Sequence, residues 1–319
     1  MMGYLFSVSL RGVRDYRMLG SVILAAAFSK SLIALWVKHS ITISMADPAY
    51  ATTHGDSILF AGAAAIVIAR FAEHPTRRNA LLAMGMFPIL VGAMVANNRR
   101  IAWVEIVASL AVVYVLGRRT RIKQVLTVAA VPLALAYVAV GWNSTSSVFA
   151  PVRSLRTVGD ADIDSSTLFR DLENFNLLAT LKIRPIIGTG FGHEFDEPVT
   201  TPDLPSFREY RYMPHNSVLG LWGFTGWLGF TGLFASLVAA VFWAARSYRF
   251  AQLSDERAAS LAVICISLIY LIQCWGDIGF SERNGVFLLG SALGVASRLA
   301  VSTGAWGSAR GADTVSRAA

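Results

Sequence analysis

Charge is scarce in this chain. Asp, Glu, Lys and Arg make up 15% of its 319 residues, against about 25% in an ordinary soluble domain. With 55% hydrophobic residues and a mean hydropathy of +0.53, a soluble globular domain is excluded. So is a disordered chain, which needs low hydrophobicity and high net charge. Cysteine is nearly absent too. Cys265 and Cys274 fall inside one apolar stretch, which leaves no disulfide framework and no cysteine metal site. No internal repeat is visible. Acidic residues are fewer than basic ones, and the net charge is +8. In a soluble protein that balance points to nucleic acid. In an apolar chain its placement matters more, because cytoplasmic loops of membrane proteins collect Lys and Arg; no nucleic-acid partner is expected.

What the chain does have is long apolar runs: Met18–Trp36, Ser57–Phe71, Ala80–Ala96, Ile101–Gly117, Gln124–Trp142, Ser217–Ala245, Ala258–Trp275 and Gly285–Ala300. Spanning helices of about 20 residues at these places predict an all-α polytopic membrane protein. It has about eight transmembrane helices and one large extracytoplasmic loop between the fifth and sixth. Alternate connectors are basic: Arg11, Arg14 and Arg17; Arg77 and Arg78; Arg118, Arg119, Arg121 and Lys123; Arg246, Arg249 and Arg257; Arg298, Arg310 and Arg317. The positive-inside rule puts these, and both termini, in the cytoplasm.

The organisation read from this is an N-terminal bundle of five helices over 1–142 and an extracytoplasmic loop over 143–216. Three further helices follow over 217–300, then a disordered cytoplasmic tail over 301–319. Residues 1–10 are apolar and read like the end of another helix, which predicts a truncated start.

The loop over 143–216 carries seven basic and ten acidic residues. A loop this long is functional or disordered. Within it, Ser165–Lys182 reads as a helix, with an apolar stripe of Leu168, Leu172, Phe175 and Ala179 at helical spacing. Arg170 lies off that stripe, and Pro185 ends the helix. Gly188-Thr189-Gly190-Phe191-Gly192 reads as a turn in preference to a phosphate cradle. Asp160, Asp162 and Asp164 read as a solvated acidic turn in preference to a metal-binding Asp-x-Asp pair.

His215 ends the loop where the chain re-enters the membrane. It is either a general base or part of a helix entry capped by Asn216 or Ser217. Arg99 and Arg100 stand together in a short outward turn, where guanidinium forks suit phosphate oxygens or snorkel at a helix end. Lys30 lies within the first span, and a membrane-buried Lys is usually paired or functional. Glu105 is read as its partner or as the partner of Arg100. Asp277 follows the seventh span. Arg99, Asn216, Glu105, Lys30 and Asp277 are taken as supporting groups.

Pro214-His215-Asn216-Ser217-Val218-Leu219, followed by Gly223-Phe224-Thr225-Gly226, resembles the His-Asn-x-x-Leu … Gly-x-x-Gly signature of the O-antigen ligase/polymerase superfamily. These are bacterial surface-polysaccharide ligases and Wzy-type polymerases. The run from Arg170 to Pro185-Ile186-Ile187-Gly188-Thr189-Gly190 is similar to the family's Arg … Pro-x-x-Gly-x-Gly segment. Asn98-Arg99-Arg100-Ile101 is similar to its Ser-Arg turn, with Arg99 in place of Ser.

The resemblance implies a membrane glycosyltransferase of the bacterial cytoplasmic (inner) membrane, multi-pass, with its site facing the periplasm. The donor would be a glycan on undecaprenyl pyrophosphate. The acceptor would be a sugar hydroxyl, on lipid A core or on another lipid-linked glycan. Transfer would be inverting and would use no metal and no cofactor. Arg100 and Arg170 would bind the pyrophosphate, and His215 would be catalytic, orienting or deprotonating the acceptor hydroxyl. Family members usually carry more spans than the eight read here. The competing readings are a transporter or flippase of a lipid-linked glycan, and an inactive scaffold of a polysaccharide assembly complex.

Overall fold

The computed structural model describes residues 1–43, 51–118, 121–146, 149, 152, 165–202, 208–280 and 282–307. Among them are ten α-helices and no strand: α1 Met2–Ser9, α2 Val13–Ile43, α3 His54–Glu73, α4 Arg77–Asn97, α5 Arg100–Leu116, α6 Arg121–Gly141, α7 Ser165–Ile183, α8 Ser217–Phe250, α9 Ser254–Gly276 and α10 Arg283–Ser302. Every apolar run read from the sequence lies within one helix, apart from a residue at the ends of α5 and α6. Stretches of α2, α3, α4, α8, α9 and α10 are long and apolar enough to cross a membrane: Val13–Ser40, Gly55–Glu73, Arg77–Asn97, Ser217–Phe250, Ser254–Gly276 and Arg283–Ser302. α5, at 17 residues, is shorter. The protein is therefore an all-helical, polytopic membrane protein. Asp160, Asp162 and Asp164 lie outside the described residues.

The chain forms two compact units. One comprises Met1–Arg118, Ser236–Tyr270 and Glu282–Ala319, the other Arg119–Ala235 and Leu271–Ser281. In the first, α3 is the central helix. Its Ile58, Phe60, Ala63, Ala64 and Ala65 are fully or almost fully buried, and it packs on α2, α4, α5 and α10. Small residues let the backbones approach, which is how membrane helices associate where water supplies no driving force between them. The same device seats α1. Gly290 and Gly294, four residues apart on α10, lie against Met2 and Phe6, and a Cβ on either would strike α1. The apolar start of the chain is thus a short helix docked on α10.

Two buried carboxylates in this unit are tied to cations. Glu73, at the end of α3, accepts from Arg257 Nε at 3.2 Å and from the Tyr248 hydroxyl at 2.7 Å. Asp56, at the start of α3 and 1% exposed, accepts from Lys30 Nζ at 3.3 Å and Asn284 Nδ2 at 3.1 Å. Lys30 therefore pairs with Asp56, not with Glu105. The reason is reach: Asp56 opens the neighbouring helix beside Lys30, a proximity in space that sequence distance does not reveal.

Candidate active site

In the second unit α7 does the positioning. Its inward face is Phe169, Glu173, Asn176, Leu177 and Thr180, all buried, at the i, i+4, i+7, i+8, i+11 spacing of one helical face. The apolar stripe read from the sequence lies off this face. Leu168 is 48% and Phe175 54% exposed. The physical reason is that α7 must satisfy a looping backbone, and buried N–H and C=O groups need partners. Asn176 donates to the Val199 carbonyl at 2.7 Å and accepts from Val199 N–H at 3.1 Å. The Thr180 hydroxyl accepts from Asp196 N–H at 2.8 Å. Phe169 and Leu177 join Phe195, Tyr210, Leu219 and Phe224 in a small apolar core.

Glu173 holds His215. Its carboxylate, with no exposed side-chain surface, accepts from the His215 backbone N–H at 3.1 and 3.2 Å and faces ring Nδ1 at 3.2 Å. An ionised carboxylate can only accept, so opposite one Nδ1 is the ring's donor and Nε2 its acceptor. Phe169 packs edge-on against the imidazole at 5.8 Å. The side chain keeps 18% of its surface exposed, so a ligand can reach it. A carboxylate against one ring nitrogen of a histidine is the arrangement found in the hydrolase triad.

Asn216 next to it is the N-cap of α8. Its Oδ1 accepts from Leu219 N–H at 3.1 Å, the usual capping bond, and its Nδ2 donates to Asn174 at 2.9 Å. The helix-entry reading and the chemical reading thus fall on adjacent residues. Ser217 donates to the Asp277 carbonyl at 3.2 Å, while the Asp277 carboxylate turns back to accept from Ile278 N–H at 2.9 Å. Arg170 stands three residues before Glu173 on α7, half-buried. Glu173 escaped the sequence reading. Its partner is 42 residues downstream, and a carboxylate on an amphipathic helix reads as a solvated one.

The two glycine motifs lock onto each other. α8 breaks at Gly226, where φ is 61° and ψ −169°, a conformation open to glycine. The broken turn exposes backbone groups, and the segment after α7 fills them. Thr189 N–H donates to Gly223 O at 3.0 Å and Gly190 N–H to Phe224 O at 2.8 Å. In return Trp227 N–H donates to Pro185 O at 2.8 Å and Leu228 N–H to Ile186 O at 3.2 Å. A Cβ at Gly188 would fall on the Phe224 carbonyl, and one at Gly226 on the Ile186 carbonyl. The Gly188–Gly190 amides are therefore committed to carbonyls, Gly188 N–H to Arg184 O at 2.8 Å. The turn reading holds over the phosphate cradle.

The first unit carries the Asn98-Arg99-Arg100 turn. Asn97, fully buried, anchors it to the start of α3. It donates to Thr53 O at 3.1 Å and the Ser57 hydroxyl at 2.8 Å, and accepts from Thr52 N–H at 3.0 Å. Asn98 adopts a left-handed conformation, φ 48°, which Asn tolerates. Arg99 follows at 8% exposure, and Arg100, exposed, opens α5. Glu105 is fully buried on α5. The second unit thus brings together His215, Asn216 and Asp277 with Arg170 on the supporting helix, and the first holds Arg99, Arg100, Glu105 and Lys30.

No curated protein matches this chain. Residues 84–234 match the family model described as O-antigen ligase. The match runs from within α4 through the break in α8, and so includes Arg100, Arg170, Glu173 and His215. This match, over just under half of the chain, supports the O-antigen ligase/polymerase superfamily and, at family level, a glycosyltransferase activity of that type.

Proposed function

We propose that this chain transfers a glycan from undecaprenyl pyrophosphate to a sugar hydroxyl. The acceptor is a lipid A core for a ligase or another lipid-linked glycan for a polymerase. The observation that carries this reading is the His215–Glu173 pair at 3.2 Å. The acceptor oxygen attacks the anomeric carbon on the face opposite the pyrophosphate, and its proton passes to His215 Nε2. The C–O bond to pyrophosphate breaks, and undecaprenyl pyrophosphate leaves with the electron pair. One displacement inverts the anomeric centre. Glu173 stabilises the imidazolium that forms, as the carboxylate of a hydrolase triad does. Arg100 and Arg170 are assigned to the pyrophosphate, whose departing charge guanidinium groups stabilise without a metal. The alternation of basic connectors supports an orientation with the 143–216 segment outside the cytoplasmic membrane.

A flippase reading looks for broken helices that open onto a substrate. α8 is broken, but its freed backbone groups at Gly223, Phe224, Trp227 and Leu228 are taken by residues 185–190, which favours transfer over transport.

The test is single-turnover transfer from an undecaprenyl-pyrophosphate-linked oligosaccharide by the purified protein. Product configuration is read by NMR and thermal stability is measured on the same preparation. His215→Ala is expected to lose about 10²–10⁴ in rate with its melting temperature kept. Normal turnover with lowered stability overturns the assignment and leaves His215 as part of the helix entry.

A further inference from the structure

Beside the helix that carries Glu173, the second unit contains a cavity of about 520 Å³, within the roughly 300–1,000 Å³ of small-molecule sites. Its chemistry-bearing lining is Arg184, His193, Glu194, Asp196, Glu197 and Arg211. Part of this lining is a fixed frame. Arg211 pairs with Glu197 at 2.7 Å and Glu194 at 3.4 Å, and its Nε donates to the Tyr210 hydroxyl at 3.1 Å. Tyr212 donates to Glu194 at 2.8 Å. Burial pushes the Glu197 carboxyl up, but the Thr201 hydrogen bonds and Arg211 outweigh it and hold it below its ordinary value. The rest is uncommitted. Among the described residues, the side chains of Arg184, His193 and Asp196 have no hydrogen bond or ion pair, and all three are exposed.

We propose that this cavity is a saccharide subsite, for an uncharged or amino sugar of the glycan next to the reacting residue. A hydroxyl both donates and accepts. A wall offering an acceptor-only carboxylate, a donor-only guanidinium and an imidazole that does either suits vicinal hydroxyls. An anionic ligand suits it less, since Glu194, Asp196 and Glu197 outnumber Arg184 and Arg211, and Arg211 is already paired. That separates the cavity from any pyrophosphate site. A metal ion is a poor occupant, because no group of three His, Cys, Asp or Glu among the described residues is arranged to hold one. An apolar ligand would leave the charged lining unpaired.

Position supports the assignment. α7 grips His215 through Glu173 and the cavity wall through Thr180, which holds Asp196 N–H at 2.8 Å. Seven residues of helix set these two grips about 10 Å apart along the axis, a spacing suited to a neighbouring sugar. The subsite's place in the reaction rests on the transfer proposed above; its binding does not.

The test is saturation-transfer NMR and isothermal titration on the full-length protein in detergent. The probes are N-acetylglucosamine, galactose, glucosamine, glucuronate and inorganic phosphate. Uncharged or amino sugars are expected to bind, and glucuronate and phosphate more weakly. The double variant Glu194→Gln/Asp196→Asn is expected to weaken binding at least tenfold. These side chains are exposed, and Thr180 holds only the backbone of Asp196, so folding should be kept; an unchanged melting temperature checks this. Arg184→Gln should also weaken binding, and it serves if the double variant fails to fold. His215→Ala should leave sugar binding intact. Binding that survives both the double variant and Arg184→Gln overturns the proposal, as does tighter binding of phosphate or the absence of binding by any sugar. Loss of the subsite with His215-dependent transfer intact sinks this inference alone. Sugar binding with His215-independent transfer sinks only the mechanism.

Discussion

In the first unit Glu73 and Asp56 are buried beside basic side chains: Arg257 at 3.2 Å and Lys30 at 3.3 Å. In the second unit Glu173 is as deeply buried, and among the described residues its side-chain partner is a histidine. A buried carboxylate facing a fixed cation is a strut, whose removal leaves a charge stranded. A buried carboxylate facing an imidazole is half of a proton-handling pair, because the imidazole's charge is conditional. On the transfer proposed above, the same side chain is structural in one region and chemical in the other, and the partner decides which.

The sharpest way to break this comparison is at the strut. Arg257→Ala strands Glu73 and is expected to cost about 3–5 kcal/mol of stability, with little change in transfer per folded molecule. Thermal melting and turnover on one preparation check it. A specific loss of rate would move Glu73 and Arg257 out of the structural class. Next comes Arg100→Ala, expected to slow transfer about 10²–10³-fold, or roughly 2–4 kcal/mol, at unchanged stability. Arg100→Lys should rescue poorly, because a point charge does not reproduce the fork. Arg99→Ala is the contrast: at 8% exposure it should lower stability more than rate. Full activity in Arg100→Ala would remove it from the site.

The smallest effect is expected at Glu173→Gln, about tenfold in kcat with KM little changed. The side-chain amide still has an oxygen for the His215 N–H but cannot stabilise an imidazolium as a carboxylate does. The ¹⁵N chemical shifts of the His215 ring should show a weakened Nδ1–H preference, because the amide NH₂ can also donate to Nδ1. Unaltered shifts and kcat would show that Glu173 is a strut after all.

The helices were legible because twenty apolar residues in a row leave few choices in a bilayer, and α7 begins and ends within a residue of its expected bounds. Its buried face was not legible. Leu168 and Phe175 of the apolar stripe are exposed, while Glu173, Asn176 and Thr180 on another face are buried, and only their partners in the folded loop say so. His215, Asn216 and the glycine motifs could be found because each sits on a local signal, a helix entry or a turn. Glu173 and the Lys30–Asp56 pair have none, since their partners lie 42 and 26 residues away and only folding brings them together.

The break at Gly226 also has a consequence for how the protein is made. The carbonyls and amides it opens in α8 are met by residues 185–190, which precede α8 in the chain and so leave the ribosome first. When the broken helix reaches the bilayer, its filler already exists, and the open groups need not meet hydrocarbon unpaired. A circular permutant that synthesises residues 185–190 after α8 would send the same helix into lipid with its gap unfilled, and it is expected to insert less efficiently than the natural order.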